Sequence, residues 1–306
     1  MPRKTACAPW AQSLAGVYAE TRTGHSGRRM DSSRPLGDAP DRSYVRKLEQ
    51  FARFAEPELR RVFADLRLAS GTVALDLGCG AGLATRWLHE AMRDGYVVGV
   101  DLSLPHLKAA SAHHAPLVQA DGGRPCFRNK AFGFVWSCNT INHLGDPVEA
   151  LLELRKLLSA GGRLALAQSG LLPDMFFAWD APLEDAVRAA CHRAYRERYG
   201  LALAHTAGIR GLVGSLRASG FAGVATRTYV VERVQPLRDA DRDYLRHAIF
   251  EGAWGDKVLP YLSPDERARL RRNCDPDSPE YCLDREDFHH VQTLTVCEGR
   301  VDAATS

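Results

Sequence analysis

The chain has 306 residues, of which 45% are hydrophobic and 8% aromatic, and its formal net charge is +3. This length permits a sizeable core, either as one elaborated domain or as a core domain with a cap. The small net charge argues against a nucleic-acid partner. No run approaches the roughly 18 apolar residues of a membrane span, and the N-terminus is polar, so a cytoplasmic protein without a membrane partner is expected.

The eight cysteines include no C-x-x-C pair. Their spacing does not indicate a disulfide framework. Cys274 and Cys282 lie near His289 and His290 in the sequence, but the two cysteines are too far apart for a common zinc knuckle. Buried cysteines usually act as small apolar residues, so no metal site is expected.

The N-terminal region is interpreted as an arm followed by lid helices, over residues 1–68. Residues 1 to about 42 are rich in Arg, Ser, Gly and Pro and contain one short helical pattern, near Trp10 to Glu20. From Tyr44 to Leu68, apolar residues recur at helical spacing with an interruption at Pro57. This pattern predicts two amphipathic helices that pack on a core domain formed by residues 69–306.

Short apolar strands alternate with helices from Val73 onward. The predicted strands are Val73–Leu77, Val97–Asp101, Leu117–Ala120, Phe132–Cys138 and Arg163–Gln168, and the predicted helices are Ala84–Met92, Pro105–His113 and Pro147–Leu158. Strand and helix alternating at this spacing indicate parallel crossovers. The predicted fold class is therefore α/β, with a doubly wound, Rossmann-like sheet.

The alternation breaks after Gln168. The pattern predicts mostly helix over 171–206, a core helix over 208–221, strands at Ala222–Val231 and Thr293–Cys297, and helical segments near Tyr244–Phe250 and Pro264–Arg272. The acidic, proline-containing segment 274–290 is expected at the surface. Residues at about 170–207 and 232–290 are interpreted as helical cap insertions.

The sequence VALDLGCGAGLAT, at 73–85, joins the first predicted strand to a helix. Gly78, Gly80 and Gly82 would let a ligand approach the backbone amides closely. A dinucleotide fingerprint needs its third glycine at position 83, where this chain has Leu83. A pyrophosphate also disfavours a nearby acid such as Asp76, whereas S-adenosylmethionine carries an ammonium and a sulfonium. The turn therefore favours S-adenosylmethionine.

Two further acids follow the next predicted strands. Asp101 closes the second strand, where a carboxylate can accept hydrogen bonds from both hydroxyls of a ribose. Asp121 follows the third strand, although its side chain could instead cap its own turn. Because the strands are parallel, Asp76, Asp101 and Asp121 are expected to converge on one ligand. Ser103 is the predicted N-cap of the next helix, with Pro105 in the first turn.

Over residues 73–168 the chain resembles the class I S-adenosylmethionine-dependent methyltransferases. The resemblance rests on VALDLGCGAG at 73–82, VVGVDLS at 97–103, QADGG at 119–123 and FGFVWSCNTINHLGDPVEALLELRKLLSAGGRLALAQ at 132–168. It is strongest to the small-molecule branch, which includes the ubiquinone, menaquinone, sterol and natural-product methyltransferases. SCNTINH lacks the Pro-Pro-aromatic sequence of nucleic-acid amino-methyltransferases. The resemblance implies a seven-stranded sheet whose last two strands are antiparallel.

The resemblance also implies where the cofactor lies. It puts the methionine portion against Asp76 and the turn formed by Gly78, Cys79, Gly80 and Gly82, the ribose on Asp101, and the adenine between Leu102 and the turn at Asp121 and Gly122. Cys138 and Asn139 would line the methionine end and the transfer site. His143, just beyond the fourth strand, is the best-placed candidate for a catalytic base, which is needed only if the acceptor must lose a proton.

Three activities remain open at this point. The leading one is methyl transfer to O, N or C of a small, lipophilic metabolite by in-line displacement. The alternatives are a non-methylating S-adenosylmethionine-binding cyclase or binding protein, and a dinucleotide oxidoreductase. An aromatic segment forms either a substrate pocket or core (Met175, Phe176, Phe177 and Trp179). Four residues of the expected lid segments either reach the substrate or, as is favoured, are solvated or packing residues (Tyr18, Tyr44, His205 and Glu251). The acceptor and the oligomeric state are not determined by the sequence.

Overall fold

The computed structural model describes residues 42–92, 94–113, 115–144, 146–169, 175–176, 179–199 and 208–303. The predictions for the N-terminal arm, including Tyr18, lie outside these ranges, as do Phe177 and His205. The same holds for the side chains of Tyr44, Met175 and Phe176, whose backbones belong to regular elements.

The helices within these ranges are α1 (Arg42–Phe54), α2 (Glu56–Leu66), α3 (Leu83–Glu90), α4 (Leu104–Ala110), α5 (Pro147–Leu157), α6 (Ala181–Tyr199), α7 (Gly208–Ala218), α8 (Asp239–Asp243), α9 (Gly255–Val258) and α10 (Pro264–Cys274). A π-helix occupies Tyr244–Trp254. Short 3₁₀ turns occupy Ser111–His113, Ile141–His143, Leu259–Tyr261 and Cys282–Asp284.

The strands are β1 (Val73–Leu77), β2 (Tyr96–Asp101), β3 (Leu117–Gln119), β4 (Phe132–Cys138), β5 (Leu158–Ser169), β6 (Met175–Phe176), β7 (Ala222–Val234) and β8 (His289–Arg300). They form one sheet in which β3, β2, β1, β4 and β5 are parallel neighbours in that order. Next to β5 lies β8, which is antiparallel both to it and to the edge strand β7. The two-residue β6 also pairs with β8.

This architecture confirms the predicted doubly wound α/β sheet and its antiparallel last pair. The two N-terminal helices are confirmed, with Pro57 in the first turn of α2. Among the first five strands, the boundary that differs most from its prediction is the start of β5, which lies at Leu158 rather than Arg163. The chain extends as soon as α5 ends, because Phe132 and Leu158 are strand partners and the backbone of Gly161 and Gly162 bonds to Val301.

The prediction of mostly helix over 171–206 is confirmed for its described residues, because α6 covers Ala181–Tyr199 and Met175–Phe176 is a two-residue strand. One prediction for the C-terminal half is wrong. The segment 274–290 is not a surface loop, because Tyr281, Cys282, Leu283 and Phe288 are buried in one apolar core with residues of the π-helix. The apolar residues between the acids anchor this segment, while the acidic side chains stay outside.

The sheet separates two apolar cores. One core lies under α1, α2, α3, α6 and the π-helix, and the other lies under α5 and α7. In β1, Leu75 and Leu77 join the second core while Ala74 joins the first, as expected for alternating side chains. Among the described residues, no helix is long and apolar enough to cross a membrane.

A buried ion-pair network fastens α1 to the C-terminal part of the chain. Arg233 of β7 donates to Asp241 at 2.8 Å and to both carboxylate oxygens of Glu58 at 2.9 Å. Arg233 and Arg238 both donate to the carbonyl oxygen of Phe54, at 2.6 and 2.9 Å. Since Phe54 ends α1, two guanidinium groups complete the C-terminal hydrogen bonding of that helix.

Replacing Arg233 by Leu is expected to lower the free energy of unfolding by about 3 kcal/mol, because breaking a buried pair leaves the partner carboxylates poorly compensated. The side chains of Arg233 and Asp241 are only 10% and 2% exposed. The matched control is Arg46→Leu, whose pair with Asp243 is 63% and 40% exposed and should cost less than about 1 kcal/mol. Urea unfolding of both variants measures the difference, and equal costs would contradict the expected role of the network.

Candidate functional site

The candidate site lies where the order of the strands reverses. From β1 the chain passes to β2 on one side, while β4 lies on the other side of β1. Ligands of open α/β sheets bind beyond the carboxyl ends of the strands at such a switch point. Here the residues that follow β1 are the glycine turn, those that follow β4 are Asn139 and Thr140, and Asp101 ends β2.

The glycine turn has a backbone conformation that ordinary side chains disfavour. Gly78, Gly80 and Gly82 have φ values of 75°, 53° and 81°. The amides of Gly78 and Cys79 both donate to the carbonyl oxygen of Val100, at 2.7 and 2.9 Å. The turn is therefore fastened to the end of β2 before it enters α3.

Neighbouring elements approach this turn closely from two sides. A Cβ atom at Gly78 would lie 2.1 Å from the Oγ1 atom of Thr140, so no side chain fits there without movement. A Cβ atom at Gly80 would lie 3.1 Å from the Cδ1 atom of Leu48. The helix α1 thus lies over the turn at Gly80, while Thr140 packs against Gly78.

Asp76 lies beneath the turn and is 1% exposed. The hydroxyl of Thr85 donates to its carboxyl group at 2.6 Å. Burial raises the pKa of Asp76 to about 7, the bond from Thr85 opposes this rise, and the nearby Asp101 adds to it. Asp76 therefore changes charge near neutral pH and would favour its ionised form beside a cation.

Asp101 is held by three donors. The amide of Gly80 donates to Oδ2 at 2.9 Å, and the amide of Ser103 donates to Oδ1 at 2.8 Å. The Nδ1 atom of His106 lies 3.1 Å from the same Oδ1. Ser103 is the N-cap of α4, and Pro105 lies in its first turn, as the sequence predicts. The carboxylate thus has one fixed orientation beside the glycine turn.

The turn after β3 is held by its own acid. The Oδ1 atom of Asp121 accepts a bond from the amide of Gly123 at 2.9 Å, so this side chain does cap its turn. Gly122 lies against Leu77, with a Cβ position 3.4 Å from its Cδ1 atom. The carbonyl oxygen of Leu102 accepts from Gln119 at 3.0 Å, which keeps the ends of β2 and β3 together.

Asn139 connects the ends of β4 and β5. Its φ is 53°, a left-handed conformation that Asn tolerates better than most residues. Its Oδ1 atom accepts from the amide of Ser169 at 2.9 Å and from the hydroxyl of Ser169 at 3.1 Å. The neighbouring Cys138 thiol stays protonated, because burial raises its pKa to about 12. Burial likewise raises the pKa of the Cys79 thiol.

Comparisons with known proteins agree with this geometry. A family model described as a methyltransferase domain matches residues 75–166. A demethylmenaquinone methyltransferase of Corynebacterium urealyticum is 34% identical over 36% of this chain and 46% of its own length. A malonyl-[acyl-carrier protein] O-methyltransferase of Salmonella typhimurium is 32% identical over 45% of this chain and 57% of its own. The chain therefore spans about half the length of these curated relatives.

The YcgJ protein of Bacillus subtilis has the same fold, with a TM-score of 0.51 and 13% identity over 80% of this chain and 99% of its own. The match at residues 75–166 and the curated relatives support the resemblance to the class I S-adenosylmethionine-dependent methyltransferases. S-adenosylmethionine is the cofactor of this family. The family match covers the region of β1 to β5, where the glycine turn and Asp101 lie.

The remaining candidate residues in the described part of the chain are His143, Glu251 and Trp179, and their surroundings differ. His143 ends the 3₁₀ turn after β4, where it is half-buried and its amide donates to the carbonyl of Thr140 at 2.8 Å. Glu251 is exposed on the π-helix and pairs with Arg246 and His247. Trp179 is buried against Trp254, with ring centroids 5.0 Å apart. These contacts favour the solvated reading for Glu251 and the core reading for Trp179.

Sequence reasoning missed several residues that shape this site: Leu48, Thr85, His106, Thr140 and Ser169. His106 had a local signal, because a histidine in the first turn after the N-cap Ser103 lies close to the preceding Asp101. The others act through contacts across the fold, so no spacing in the sequence indicates them. Among the described residues, no group of three or more His, Cys, Asp or Glu side chains is arranged to hold a metal.

The contact between Gly78 and Thr140 gives a stability test. Gly71 has a φ of 73° with nothing within 4 Å of a Cβ atom, so Gly71→Ala introduces left-handed strain alone. That strain is expected to cost about 1–2 kcal/mol of unfolding free energy. Gly78→Ala has similar strain and also the overlap with Thr140, so it should cost at least about 1 kcal/mol more. Urea unfolding compares the two variants, and equal losses would contradict the close packing of the turn.

Proposed function

We propose that this chain transfers a methyl group from S-adenosylmethionine to O, N or C of a small, lipophilic metabolite. The observation that carries the proposal is the bond from the Gly80 amide to Asp101, at 2.9 Å, within a family fold. It brings together a turn that a ligand can approach closely and a carboxylate that can accept ribose hydroxyls. Both lie at the edge of the sheet where ligands of this fold class bind.

The residues present fit the cofactor in their chemistry. In this proposal the ribose hydroxyls donate to Asp101, and the adenine lies between Leu102 and the turn at Asp121 and Gly122. The methionine portion lies along Gly78, Cys79, Gly80 and Gly82, with Asp76 nearby and with Cys138 and Asn139 at its end. Asp76 supports this orientation, because a buried carboxyl whose pKa is about 7 becomes the natural partner of an ammonium group.

The chain's own contribution to the reaction is positioning. When bound, S-adenosylmethionine supplies a methyl group on a positively charged sulfur. The protein holds an acceptor in line with that group and keeps water out, for which α1 is suited because Leu48 lies against the glycine turn. The Oδ1 atom of Asn139 is committed to Ser169, so its amide nitrogen is the group left to donate to a ligand.

Proton transfer is required only for acceptors that must lose a proton. His143 ends the short 3₁₀ turn that follows β4 and is the proposed base for such acceptors. The thiol of Cys138 is excluded from that role, because burial raises its pKa to about 12 and leaves it protonated. Any proton acceptor at this end of the site must therefore be a group other than the thiol.

A small-molecule acceptor is supported by the charge and by the relatives. The net charge of +3 over 306 residues gives no strong attraction for nucleic acid. The rings of Trp179, Phe250 and Trp254 are buried against one another in the core, so the lipophilic character of the acceptor rests on the resemblance alone. The curated relatives are named for demethylmenaquinone and for malonyl-[acyl-carrier protein], which supports a metabolite acceptor.

Transfer of a labelled methyl group tests the proposed function. The protein is incubated with methyl-labelled S-adenosylmethionine and a panel of lipophilic acceptors that carry hydroxyl, amino or activated ring-carbon groups. Label is expected in an extractable product whose mass has increased by one methyl group. If no label moves to any acceptor, the proposal fails, and a changed acceptor without an added methyl would instead support a cyclase.

Asp101→Ala is expected to reduce this transfer at low cofactor concentration. The loss of charged hydrogen bonds to the ribose should weaken cofactor binding by about 1–3 kcal/mol, which calorimetry with S-adenosylhomocysteine measures. The matched control is Asp265→Ala on α10, whose side chain is 79% exposed, and its affinity should stay that of the wild type. An unchanged affinity in Asp101→Ala would exclude the ribose assignment.

Cofactor affinity is expected to rise with pH around neutrality. Below pH 7 the buried carboxyl of Asp76 is mostly protonated, and a ligand ammonium group gains its partner only when the carboxyl ionises. The affinity for S-adenosylhomocysteine should therefore increase by up to roughly tenfold from pH 6 to pH 8. Asp76→Asn, which has the same shape and no charge, should remove most of this dependence. A variant with the wild-type pH profile would contradict the role of Asp76.

A further inference from the structure

His106 occupies a position that neither the glycine turn nor the family motifs explain. It lies on α4, and its Nδ1 atom is 3.1 Å from the Oδ1 atom of Asp101. The side chains of His106 and Asp101 are 10% and 12% exposed, so water competes little for this contact. The bond is thus largely sheltered, yet the carboxylate it reaches lies at the edge of the sheet where a ligand binds.

The first turn of α4 builds this contact. The amide of Ser103 donates to Asp101, and the hydroxyl of Ser103 in turn accepts from the amide of His106 at 3.4 Å. Pro105 in the first helical turn fixes the backbone between them. The local backbone therefore brings the imidazole to the carboxylate through the same cap that starts the helix.

The chemistry of the contact assigns its proton. An ionised carboxylate only accepts hydrogen bonds, so the Nδ1 atom of His106 must carry the hydrogen. Oδ1 then has two donors, from Ser103 and His106, while Oδ2 has the Gly80 amide. Oδ2 keeps more free acceptor capacity, and both torsion angles of the Asp101 side chain are fixed before a ligand arrives.

We propose that His106 is a positioning residue that presets the Asp101 carboxylate for the ribose of the cofactor. A preset side chain loses little rotamer freedom on binding, which favours affinity. Without the imidazole, Asp101 has more rotamer freedom to lose when the ribose binds. This inference rests on the proposed function, because it acts on the ligand through Asp101 alone. A purely structural role would instead act through the packing of α4.

A double-mutant comparison separates these two roles. Calorimetry with S-adenosylhomocysteine gives the dissociation constants of the wild type, His106→Leu, His106→Asn, Asp101→Ala and the double variant Asp101→Ala with His106→Leu. His106→Leu should weaken binding about tenfold, the size of one hydrogen bond to a charged group. His106→Asn, which offers an amide hydrogen near the Nδ1 position, should restore binding to within about threefold of the wild type.

The decisive comparison is made in the absence of the carboxylate. If His106 acts only through Asp101, adding His106→Leu to Asp101→Ala should change the dissociation constant less than about twofold. Additive losses would overturn the proposal and assign His106 to the packing of α4, as would wild-type affinity in His106→Leu. His89→Leu, at an exposed histidine of α3, is the matched control and should bind as the wild type does. A folded wild type that does not bind S-adenosylhomocysteine would instead refute the proposed function itself.

Discussion

The hydrogen bond from the Gly80 amide to the Asp101 carboxylate is the interaction on which the candidate site depends. It joins the ends of two neighbouring parallel strands, and the two further amide bonds to the Val100 carbonyl make the connection rigid. A glycine is needed at each bend, because the backbone has positive φ values there. The same bond that shapes the turn also orients the carboxylate. In the proposed function, ligand approach and ribose recognition therefore come from one local arrangement.

The surrounding fold keeps this arrangement closed. Thr140 packs against Gly78 from the β4 side, and Leu48 of α1 lies over Gly80. The end of α1 is in turn bound by Arg233 and Arg238 through the carbonyl of Phe54. A chain of contacts thus runs from the edge strand β7 to the glycine turn. In the proposed reaction this continuity serves to exclude water from the transferred methyl group.

Much of the sheet and part of the site could be predicted because their signals are local. The strands up to β4, the glycine spacing and the N-cap Ser103 all follow from patterns within a few residues. The left-handed Asn139 had no such signal, since its bonds to Ser169 span 30 positions. The burial of Tyr281, Cys282, Leu283 and Phe288 was also missed, because an acidic, proline-containing segment has the composition of a loop and its apolar residues pack only in the folded core.

In the C-terminal half, too, the type of helix depends on contacts that local sequence patterns do not show. A helical pattern near Tyr244 is correct, but the residues form a π-helix, a rare arrangement that depends on tertiary packing. The N-terminal arm, the two cap insertions and the acceptor remain interpretations for the same reason. Sequence patterns extend over only a few residues. They therefore predict the glycine turn and the strand ends of the proposed cofactor site well, and the acceptor side poorly.

A crystal structure of the protein with S-adenosylhomocysteine would test the central claim most directly. The account predicts that the ribose hydroxyls donate to the Asp101 carboxylate, while the bonds from Gly80 and His106 persist, and that the amino-acid portion follows the turn from Gly78 to Gly82. A complex in which the ribose lies elsewhere, with Asp101 bonded to protein groups alone, would contradict it.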